Sequence, residues 1–280
     1  MYKKITIEAI DYIKEHLEEE LTVEKIAEYC HFSKYYFNRL FKSEVGESVY
    51  AFIKRLRIER SAFQILRERD KSITEISSTY GYSSSNYSTA FKKHYKKSPS
   101  VLKKYFTDNK IIENNRGFFA DLTDKDYDYY NDKMKLVELQ DMEVIYHRFI
   151  GNYHNLRNYW EEFCENYSMY FDEKSWLIEI SYDDPILTDP DRCITDICMT
   201  TSKHIEPNCT TMIIKGGRYM VYNFEGPNTK IFEAFQGLFG VWLIKSPHKT
   251  ELETRKMFIK YNVVDIENNY FSIDIYISIK

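Results

Sequence analysis

Apolar residues near the start of the chain recur every three or four positions, which is the period of an amphipathic helix. Within residues 5–17 they are Ile7, Ile10, Ile13 and Leu17. A second periodic run follows Leu21, where Thr22 is a suitable N-cap, and it predicts a short helix to about Cys30. The pattern therefore predicts two helices in the first 30 residues.

A tight turn and a further helix follow the short helix. The further helix is predicted to begin near Ser33. We expect four of its side chains to face the core: Tyr36, Phe37, Leu40 and Phe41. A short helix, a turn and a helix of roughly nine to twelve residues form a helix-turn-helix. The sequence therefore predicts one such unit in this stretch.

The same pattern returns 50 residues later in the chain. The identities in register are Ile26 with Ile76, Ser33 with Ser83, Phe41 with Phe91, Lys42 with Lys92, and Ser48 with Ser98. An internal duplication is the simplest account, and it predicts a second helix-turn-helix. Between the copies, residues 49–69 predict one long basic helix of about 30 Å. Such a helix can separate the two units by about one turn of DNA.

Beyond residue 107 the helical period ends. Residues 108–135 are rich in Asp and show little apolar periodicity, so we expect a linker there. From residue 136 the order strand, helix, strand, strand occurs twice: 136–149, 155–171, 176–182, 192–201, then 211–224, 229–243, 257–264, 271–279. The prediction is a multidomain protein. An all-α double helix-turn-helix domain at 1–107 precedes an α+β domain at 136–280 with two pseudo-repeated β-α-β-β halves.

Charge separates the two domains as well. The whole chain has a formal net charge of −4. Residues 31–107 hold 16 Lys and Arg against 6 Asp and Glu, while residues 108–280 hold 19 against 29. A basic block attracts a polyanion such as double-stranded DNA, and an acidic block is repelled by one. The two domains are therefore expected to have different partners.

Composition argues against several classes of protein. No run of about 18 apolar residues predicts a membrane-spanning helix, and the first residues lack the pattern of a signal peptide. The five cysteines are odd in number and fit neither a disulfide framework nor a zinc spacing. We therefore expect a cytoplasmic protein with reduced thiols, no metal site, no cofactor and no membrane partner.

The first recognition helix has several side chains outside its predicted core, namely Lys34, Tyr35, Asn38, Arg39 and Lys42. Arg39 can pair with guanine, Asn38 with adenine, and Tyr35 can pack on a thymine methyl group. The two lysines are suited to phosphates, which position a protein without specifying sequence. A solvated surface position is the alternative interpretation of each residue taken singly.

The second recognition helix has shorter side chains outside its core, namely Ser84, Ser85, Asn86, Ser88, Thr89, Lys92 and Lys93. Short hydroxyl groups discriminate bases weakly, whereas lysines attract phosphates. We therefore expect the first recognition helix to carry most of the sequence specificity, and the second to add mainly electrostatic attraction.

Residues 8–106 resemble the DNA-binding domain of AraC/XylS-type transcription regulators. The resemblance rests on the stretches 21–27, 32–42, 46–48, 55–62, 73–76, 81–83, 91–93 and 98–99. It implies a seven-helix fold that binds two successive major-groove segments of DNA. Where the family has a glycine before its Ser-Pro pair, this chain has Lys96. If that position needs a positive φ, a residue other than glycine costs about 1 kcal/mol.

The C-terminal strand alternates between two kinds of side chain. Residues 271–279 place Phe and Ile on one face, and the other face has Asp274 beside Tyr276. A carboxylate among aromatic rings can hold an organic cation through charge and cation–π attraction. A solvated strand face is the alternative interpretation of this strand.

Residues 136–280 resemble the GyrI-like effector-binding domain. The matching stretches are 143–146, 151–153, 182–185, 214–222, 225–227, 240–243 and 274–276. The resemblance implies a cleft between two similar halves that binds a hydrophobic, often cationic, small molecule, with Asp274 as the acidic candidate. The candidate effector-binding residues are Tyr146, Tyr182, Tyr222, Trp242, Asp274 and Tyr276. The order of the two domains looks like that of Rob-type regulators.

Three functions are open at this point. The first is a bacterial transcription regulator controlled by a small hydrophobic or cationic effector, with RNA polymerase as a further partner. The second makes residues 136–280 a protein-interaction module. The third is a small-molecule hydrolase, because some GyrI-like relatives use a Glu and a Tyr.

The catalytic alternative has little support in the sequence. Asp274 and Tyr276 share a strand face, but the sequence shows no partner that would activate them. His147 and His154 fit no arrangement of nucleophile, base and acid. We therefore expect a regulator with no catalytic residue.

Overall fold

The periodic apolar runs of the N-terminal part form helices in the computed structural model, which describes residues 4–68, 70–107, 125–183, 188–248 and 257–280. The chain divides into two units, Met1–Arg116 and Gly117–Lys280. Residues 108–124 of the expected linker lie outside the described residues. Within the described ranges, no helix is long and apolar enough to cross a membrane.

The first unit is all-helical where the structure describes it. Its helices are α1 (Lys4–Glu15), α2 (Val23–Tyr29), α3 (Lys34–Val45), α4 (Val49–Arg67), α5 (Ile73–Thr79), α6 (Ser84–Tyr95) and α7 (Pro99–Thr107). Helices α2 and α3 form one helix-turn-helix, and α5 and α6 form the other. Between them in the chain, α4 has 19 residues and a length of about 28 Å. The double helix-turn-helix prediction is confirmed.

Equivalent hydrogen bonds begin the two copies. The Thr22 hydroxyl accepts a hydrogen bond from the Lys25 backbone N–H (3.2 Å), which caps α2. The Ser72 hydroxyl accepts from the Glu75 N–H (3.1 Å), and the Glu75 carboxylate accepts from the Ser72 N–H (2.6 Å), so α5 has a capping box. Capping at positions 50 residues apart agrees with the repeat in the sequence.

The core of the first unit uses the same positions of both copies. Phe37 and Phe41 of α3 are fully buried, and the Phe41 ring lies edge-on to Phe52 of α4, with 5.2 Å between centroids. Tyr87 and Phe91 of α6 occupy the equivalent places and are also fully buried. Aromatic rings on their inner sides therefore hold both recognition helices in place.

The expectation that Tyr36 faces this core is wrong, because 54% of the residue is exposed. Tyr36 lies one residue from the buried Phe37, which is about 100° of helix rotation. Its ring stacks instead on Phe32 in the preceding turn, with 5.2 Å between centroids. The buried stripe of α3 is narrower than its apolar sequence pattern suggests.

A buried group of charges joins α4 to both copies. The Arg55 guanidinium group lies 2.8 Å from the Glu47 carboxylate and 2.9 Å from the Glu59 carboxylate. The other oxygen of Glu59 lies 3.3 Å from the His94 ring at the end of α6. Arg55 and Glu59 are both buried. Removing one partner of a buried pair leaves an uncompensated charge, which is strongly destabilising.

Replacing Arg55 with Met is therefore expected to lower the free energy of unfolding by about 3–5 kcal/mol. Urea denaturation of the full chain measures the change. Arg60→Met, on the same helix, is the matched control and should cost much less. Equal stabilities of the two variants would contradict a structural role for the Arg55 pairs.

The turn after each recognition helix differs between the copies. Gly46 and Lys96 occupy equivalent positions, and their φ angles are +83° and +59°. A side chain is strained in this left-handed region, whereas glycine is not. Lys96 therefore has the positive φ at which a residue other than glycine lowers stability.

Replacing Lys96 with Gly is expected to raise the free energy of unfolding by about 1 kcal/mol, because the left-handed conformation is then unstrained. Urea denaturation of the full chain is the measurement. The reciprocal variant, Gly46→Lys, should lower the free energy of unfolding by a similar amount. A Lys96→Gly protein no more stable than wild type would contradict the strain.

The second unit combines an antiparallel sheet with helices. Its described strands are β1 (Met134–Leu139), β2 (Met142–Gly151), β3 (Leu177–Ser181), β4 (Cys193–Met199), β5 (Thr211–Ile214), β6 (Gly217–Gly226), β7 (Phe258–Asp265) and β8 (Tyr270–Ser278). Its described helices are α8 (Tyr127–Asn131), α9 (Leu156–Tyr167), α10 (Ile231–Gly237) and α11 (Leu243–Lys245), with a π-helical turn, Leu238–Trp242, before the last. The α+β prediction is confirmed.

The sheet shows the expected pseudo-repeat. Its order is β1-β6-β8-β7-β3-β4-β2-β5. One half contributes β2, α9, β3 and β4, and the other contributes β6, α10, β7 and β8. The halves meet where β3 pairs with β7, through three residue pairs from Leu177–Tyr261 to Glu179–Ile259. This short pairing makes the sheet continuous.

Two segments differ from their predicted form, the strand 211–224 and residues 125–135 of the expected linker. Residues 136–149, predicted as strands, are β1 and β2, whereas 211–224, predicted as one strand, is β5 and β6. Strand β1 pairs with β6, and β5 pairs with β2, so each half receives its edge strand from the other. Within residues 125–135 of the expected linker, α8 packs on this unit, and its Tyr130 is only 2% exposed. Pairing between strands that are distant in sequence determines these differences, and local periodicity does not encode such pairing.

Helices α9 and α10 cover the same face of the sheet, which we call the helix face. The cluster at α9 contains Ile145, Phe149, Phe163, Tyr167, Ile197 and Met199. The cluster at α10 contains Tyr222, Leu238, Trp242, Ile259, Ile273 and Ile275. Cross-strand register places a second set of side chains on the opposite face, which we call the far face: Tyr146, Arg148, Asp196, Phe258, Asp274 and Tyr276.

Candidate DNA interface and ligand site

The outer surface of α3 holds most of the side chains predicted to contact DNA. Lys34, Tyr35, Arg39 and Lys42 are exposed, and Tyr35 is 83% exposed. The side chains of Tyr35 and Arg39 make no hydrogen bond to another described residue. This surface can present a ring, a guanidinium group and ammonium groups to a major groove.

Two of the predicted side chains are already engaged. Asn38 is half-buried, and its Oδ1 accepts a hydrogen bond from the Val49 backbone N–H (3.3 Å), which joins α3 to α4. The Lys34 ammonium group binds the Glu24 carboxylate of α2. This hydrogen-bonded pair lowers the pKa of Glu24 and raises the pKa of Lys34. Both side chains therefore have structural partners that sequence reasoning did not supply.

The outer surface of α6 is flatter. All of its predicted contact residues are exposed: Ser84, Ser85, Asn86, Ser88, Thr89, Lys92 and Lys93. Four of them line a shallow depression of about 410 Å³, namely Ser88, Thr89, Lys92 and Lys93. The Thr89 hydroxyl donates to the Ser85 carbonyl (3.0 Å), so its proton is turned toward the helix. This surface offers ammonium groups and few directed donors.

Two further exposed rings lie in this region of the sequence. Tyr36 of α3 is 54% exposed and Tyr50 of α4 is 65% exposed. The Lys54 ammonium group lies 5.7 Å from the centroid of the Tyr50 ring, a cation–π arrangement. An aromatic residue within a basic helix was the sequence signal for Tyr50. Tyr36 was missed because it was assigned to the core.

The predicted effector residues of the second unit fall in three places. Asp274 and Tyr276 lie together on the far face, as the strand alternation predicted. The Asn223 amide donates to the Asp274 carboxylate (2.9 Å). Tyr276 is buried and stacks on Phe258, with 4.4 Å between centroids, and burial raises the pKa of Tyr276 to about 12. Asp274 is half-buried beside these stacked rings.

Tyr146 and Tyr182 accompany a buried ion pair. The Arg148 guanidinium group donates two hydrogen bonds of 2.7 Å to the two oxygens of the Asp196 carboxylate. The Tyr182 hydroxyl donates to the same carboxylate (2.6 Å). The Arg148 guanidinium carbon lies 5.7 Å from the centroid of the Tyr146 ring. These groups satisfy one another, so they join β2 to β4 and offer little to a ligand.

Tyr222 and Trp242 lie on the helix face, away from the other four. Trp242 is fully buried, and its ring N–H donates to the Asn131 side-chain oxygen of α8 (3.2 Å). Tyr222 is 4% exposed and lies 5.8 Å from Tyr130, measured between ring centroids. The structure therefore does not bring the six candidates into one site. Residues on neighbouring strands alternate between faces, and their register decides which of them meet.

An unexpected polar site lies on the helix face, where the two halves of the sheet meet. Glu179 of β3 is 2% exposed. One of its carboxylate oxygens accepts from the Tyr261 hydroxyl of β7 (2.6 Å), and the other accepts from the Ser181 hydroxyl (2.8 Å). The Trp160 ring of α9 lies edge-on to Tyr261, with 5.1 Å between centroids. The site thus has a buried carboxylate with aromatic groups around it.

The electrostatics of Glu179 are unusual. No Lys, Arg or His forms an ion pair with it among the described residues. Burial raises the pKa of Glu179, although the hydrogen bonds from Tyr261, Ser181 and Trp160 oppose the rise. Burial and the nearby Glu179 raise the pKa of Tyr153 and of Tyr261. Glu179 is thus a buried carboxyl group with no cation beside it within the described structure, and its burial favours the protonated form.

Two further buried donors lie in the same region, namely the Tyr153 hydroxyl and the Trp160 ring N–H. Sequence reasoning missed all of these residues. Their one signal was a Glu between two Ile residues, Ile178-Glu179-Ile180, within a predicted strand. A carboxylate in such a buried position needs a partner or a function.

Metal chemistry has no visible support in the described part of the chain. No group of three or more His, Cys, Asp or Glu side chains is placed there to hold a metal ion. None of the five cysteines forms a disulfide in the described structure. Burial raises the pKa of the Cys30 thiol to about 11, so it is protonated at neutral pH.

Comparison with known proteins follows the division into two units. The family model of the GyrI-like small molecule binding domain matches residues 132–280, and a helix-turn-helix domain model matches residues 26–105. The transcriptional regulator YbfP of Bacillus subtilis is 34% identical over 113 residues, which are 39% of this chain and 38% of YbfP. MarA, the multiple antibiotic resistance protein of Escherichia coli, is 35% identical over 92 residues, which are 32% of this chain and 72% of MarA.

Among solved structures, the C-terminal domain of EcmrR has a TM-score of 0.44 at 12% identity, covering 52% of this chain and 96% of that one. The chain spans little more than a third of YbfP, so the resemblance to that relative is confined to part of its length. The GyrI-like match extends over more than half of the chain, and the MarA match covers most of MarA. The chain therefore belongs to the AraC-type helix-turn-helix regulators and to the GyrI-like small-molecule-binding family.

Proposed function

We propose that this protein regulates transcription by binding an asymmetric duplex site through α3 and α6 and a small aromatic cation at Glu179. The buried Glu179 carboxylate, with no cation beside it in the described structure, carries the ligand part of the proposal. The two basic recognition helices carry the DNA part. The sequence predicted a hydrophobic or cationic effector, and we propose more specifically an aromatic cation.

The DNA part is supported by geometry and charge. Helix α4 spans about 28 Å, which is close to one turn of B-DNA at roughly 34–36 Å. Tyr35 and Arg39 provide directed contacts on α3, whereas Lys92 and Lys93 provide charge on α6. Specificity therefore lies mainly in α3, and α6 mainly adds affinity that depends on salt.

Replacing Arg39 with Ala is expected to weaken binding to the selected duplex by about 1–3 kcal/mol, because a bidentate contact to a base is lost. The loss of affinity is measured by fluorescence anisotropy at fixed salt, with a duplex enriched from a random pool. Lys93→Ala is the control and should weaken binding to selected and random duplexes alike. An equal loss on both duplexes for Arg39→Ala would exclude base reading by this residue.

The ligand part follows from the environment of Glu179. A buried carboxylate without a cation is costly, and a bound cation offsets that cost. The rings of Trp160, Tyr153 and Tyr261 can surround an organic cation by cation–π attraction. The Trp160 N–H and the Tyr153 hydroxyl are further hydrogen-bond donors in this region. The same carboxylate would reject an anion of the same shape.

Replacing Glu179 with Gln is expected to abolish the preference for a cation. The probes are 2-naphthylmethylammonium and its neutral analogue 2-naphthalenemethanol, titrated calorimetrically into the full chain. The wild type should favour the cation by roughly tenfold or more, because hydrogen bonds to charged groups are the stronger ones. Asp274→Asn is the control, since Asp274 lies on the far face. Loss of the preference in Asp274→Asn instead would transfer the site to the far face.

The affinity for the cation is expected to rise with pH. Below its raised pKa, Glu179 is protonated and neutral, so the cation gains no charge–charge attraction. Above that pKa the carboxylate is ionised and attracts the cation. The stability of the protein without ligand has the opposite dependence on pH. The folded state holds the proton more tightly, so the contribution of Glu179 to stability falls as pH rises from about 4.3 through the raised pKa.

Calorimetric titrations at a series of pH values test this dependence. Glu179→Gln has no group to titrate at this position, so its weaker binding should be independent of pH over the same interval. A wild-type affinity that is flat with pH, or one that falls as pH rises, would contradict an ionised Glu179 in the complex.

One observation favours a second candidate function. The Glu179 carboxylate accepts a 2.6 Å hydrogen bond from the Tyr261 hydroxyl, and a carboxyl group of raised pKa beside a phenol can serve acid–base chemistry. Hydrolysis of a bound small molecule would then occur in the same site. Prolonged incubation with naphthyl esters distinguishes the two functions, because only the hydrolase forms product and loses it in Glu179→Gln.

A further inference from the structure

A cavity in the GyrI-like unit is bounded by α8, β1, β6 and α10. Its volume is about 530 Å³, which is within the usual size of small-molecule sites. Its charged and aromatic lining consists of Lys125, Lys133, Lys135, Lys230, Glu225, Glu233, Tyr129, Tyr130, Tyr222 and Phe224. None of the residues at Glu179 belongs to this lining.

The charge of this cavity is opposite to that of its surroundings. Residues 108–280 hold 19 Lys and Arg against 29 Asp and Glu, yet four lysines and two glutamates line the cavity. Glu233 is engaged by Lys230, whose ammonium group lies 2.7 Å from its carboxylate. Lys133 and Lys135 form no ion pair with a described carboxylate. The cavity therefore has a local excess of positive charge in an acidic unit.

The floor of the cavity is made of tyrosine rings. The Tyr129 and Tyr130 rings lie edge-on at 5.1 Å between centroids, and Tyr130 lies 5.8 Å from Tyr222. The Lys133 ammonium group lies 4.2 Å from the centroid of the Tyr129 ring and donates to its hydroxyl (2.8 Å). Burial raises the pKa of Tyr222, so its hydroxyl is protonated at neutral pH. Flat apolar surface and donors are thus side by side.

The wall formed by α8 is firmly attached. The Asn131 side-chain oxygen accepts hydrogen bonds from Trp242 (3.2 Å) and from the Tyr127 hydroxyl (3.0 Å). The Tyr130 hydroxyl lies against Gly237 of α10, where a Cβ would overlap it. These contacts hold α8 and Tyr130 against α10 and the turn that follows it. A preformed wall of this kind loses little entropy when a ligand binds.

We propose that this cavity binds an aromatic anion, meaning a flat apolar molecule with one carboxylate or sulfonate. Its ring would lie on Tyr129 and Tyr222, and its anionic group would face the ammonium groups of Lys133 and Lys135. Lysine ammonium groups form charge-assisted hydrogen bonds with such oxygens. The unit would then take two ligands of opposite charge in two separate sites.

The test titrates 2-naphthoate into the full chain by calorimetry. The cationic probe 2-naphthylmethylammonium has the same ring and the opposite charge, and 2-naphthalenemethanol is the neutral reference. The double variant Lys133→Gln, Lys135→Gln is expected to bind 2-naphthoate at least about tenfold more weakly, because it loses two charged donors. Lys174→Gln is the control, since Lys174 is an exposed lysine of the same unit outside the cavity.

Each outcome decides the proposal. Saturable 2-naphthoate binding that the double variant weakens and Lys174→Gln retains, and that saturating 2-naphthylmethylammonium does not displace, supports a separate anion site. No saturable binding, an equal loss in both variants, or displacement by the cation overturns it. Thermal unfolding of both variants should match wild type, because all three lysines are exposed. The cation titration is read independently, so this proposal and the Glu179 site can fail separately.

Discussion

The second unit depends on one short contact, the pairing of β3 with β7. Three residue pairs join the two halves of the sheet there, and Glu179 belongs to one of them. The strand that makes the sheet continuous thus carries a buried carboxylate that no described cation balances. Burial of this kind works against stability. In the proposed function, an arriving cation balances the charge at the place where both halves meet, so binding acts on both halves together.

In the first unit, by contrast, the buried charges are paired. Arg55 is paired with Glu47 and Glu59 at hydrogen-bond distances. Buried aromatic rings on the inner sides of α3 and α6 pack both recognition helices into the core of this unit. The two recognition helices are therefore joined by a helix of about 28 Å. Such a fixed spacing suits two successive major grooves. In the proposed function, this rigid unit would bind DNA while the carboxyl group at Glu179 would bind the ligand.

Local rules predicted the helices and strands well and the proposed ligand site poorly. The apolar period, the 50-residue repeat and the N-caps at Thr22 and Ser72 specify the helices from short stretches of sequence. Strand alternation correctly placed Asp274 beside Tyr276. It could not show that Glu179 meets Tyr261, because these residues are 82 positions apart and only the β3–β7 register brings them together. The hydrogen bond that engages Asn38 is likewise a tertiary contact, invisible in helix periodicity.

The most direct test of the account is the affinity of the full chain for its selected duplex, measured with and without saturating 2-naphthylmethylammonium, in wild type and in Glu179→Gln. Coupling between two sites is a difference in binding free energy, so it appears in this comparison. The account predicts that the cation changes DNA affinity in the wild type and leaves that of Glu179→Gln unchanged. The same change in both proteins, or no change in the wild type, would contradict control of DNA binding through Glu179.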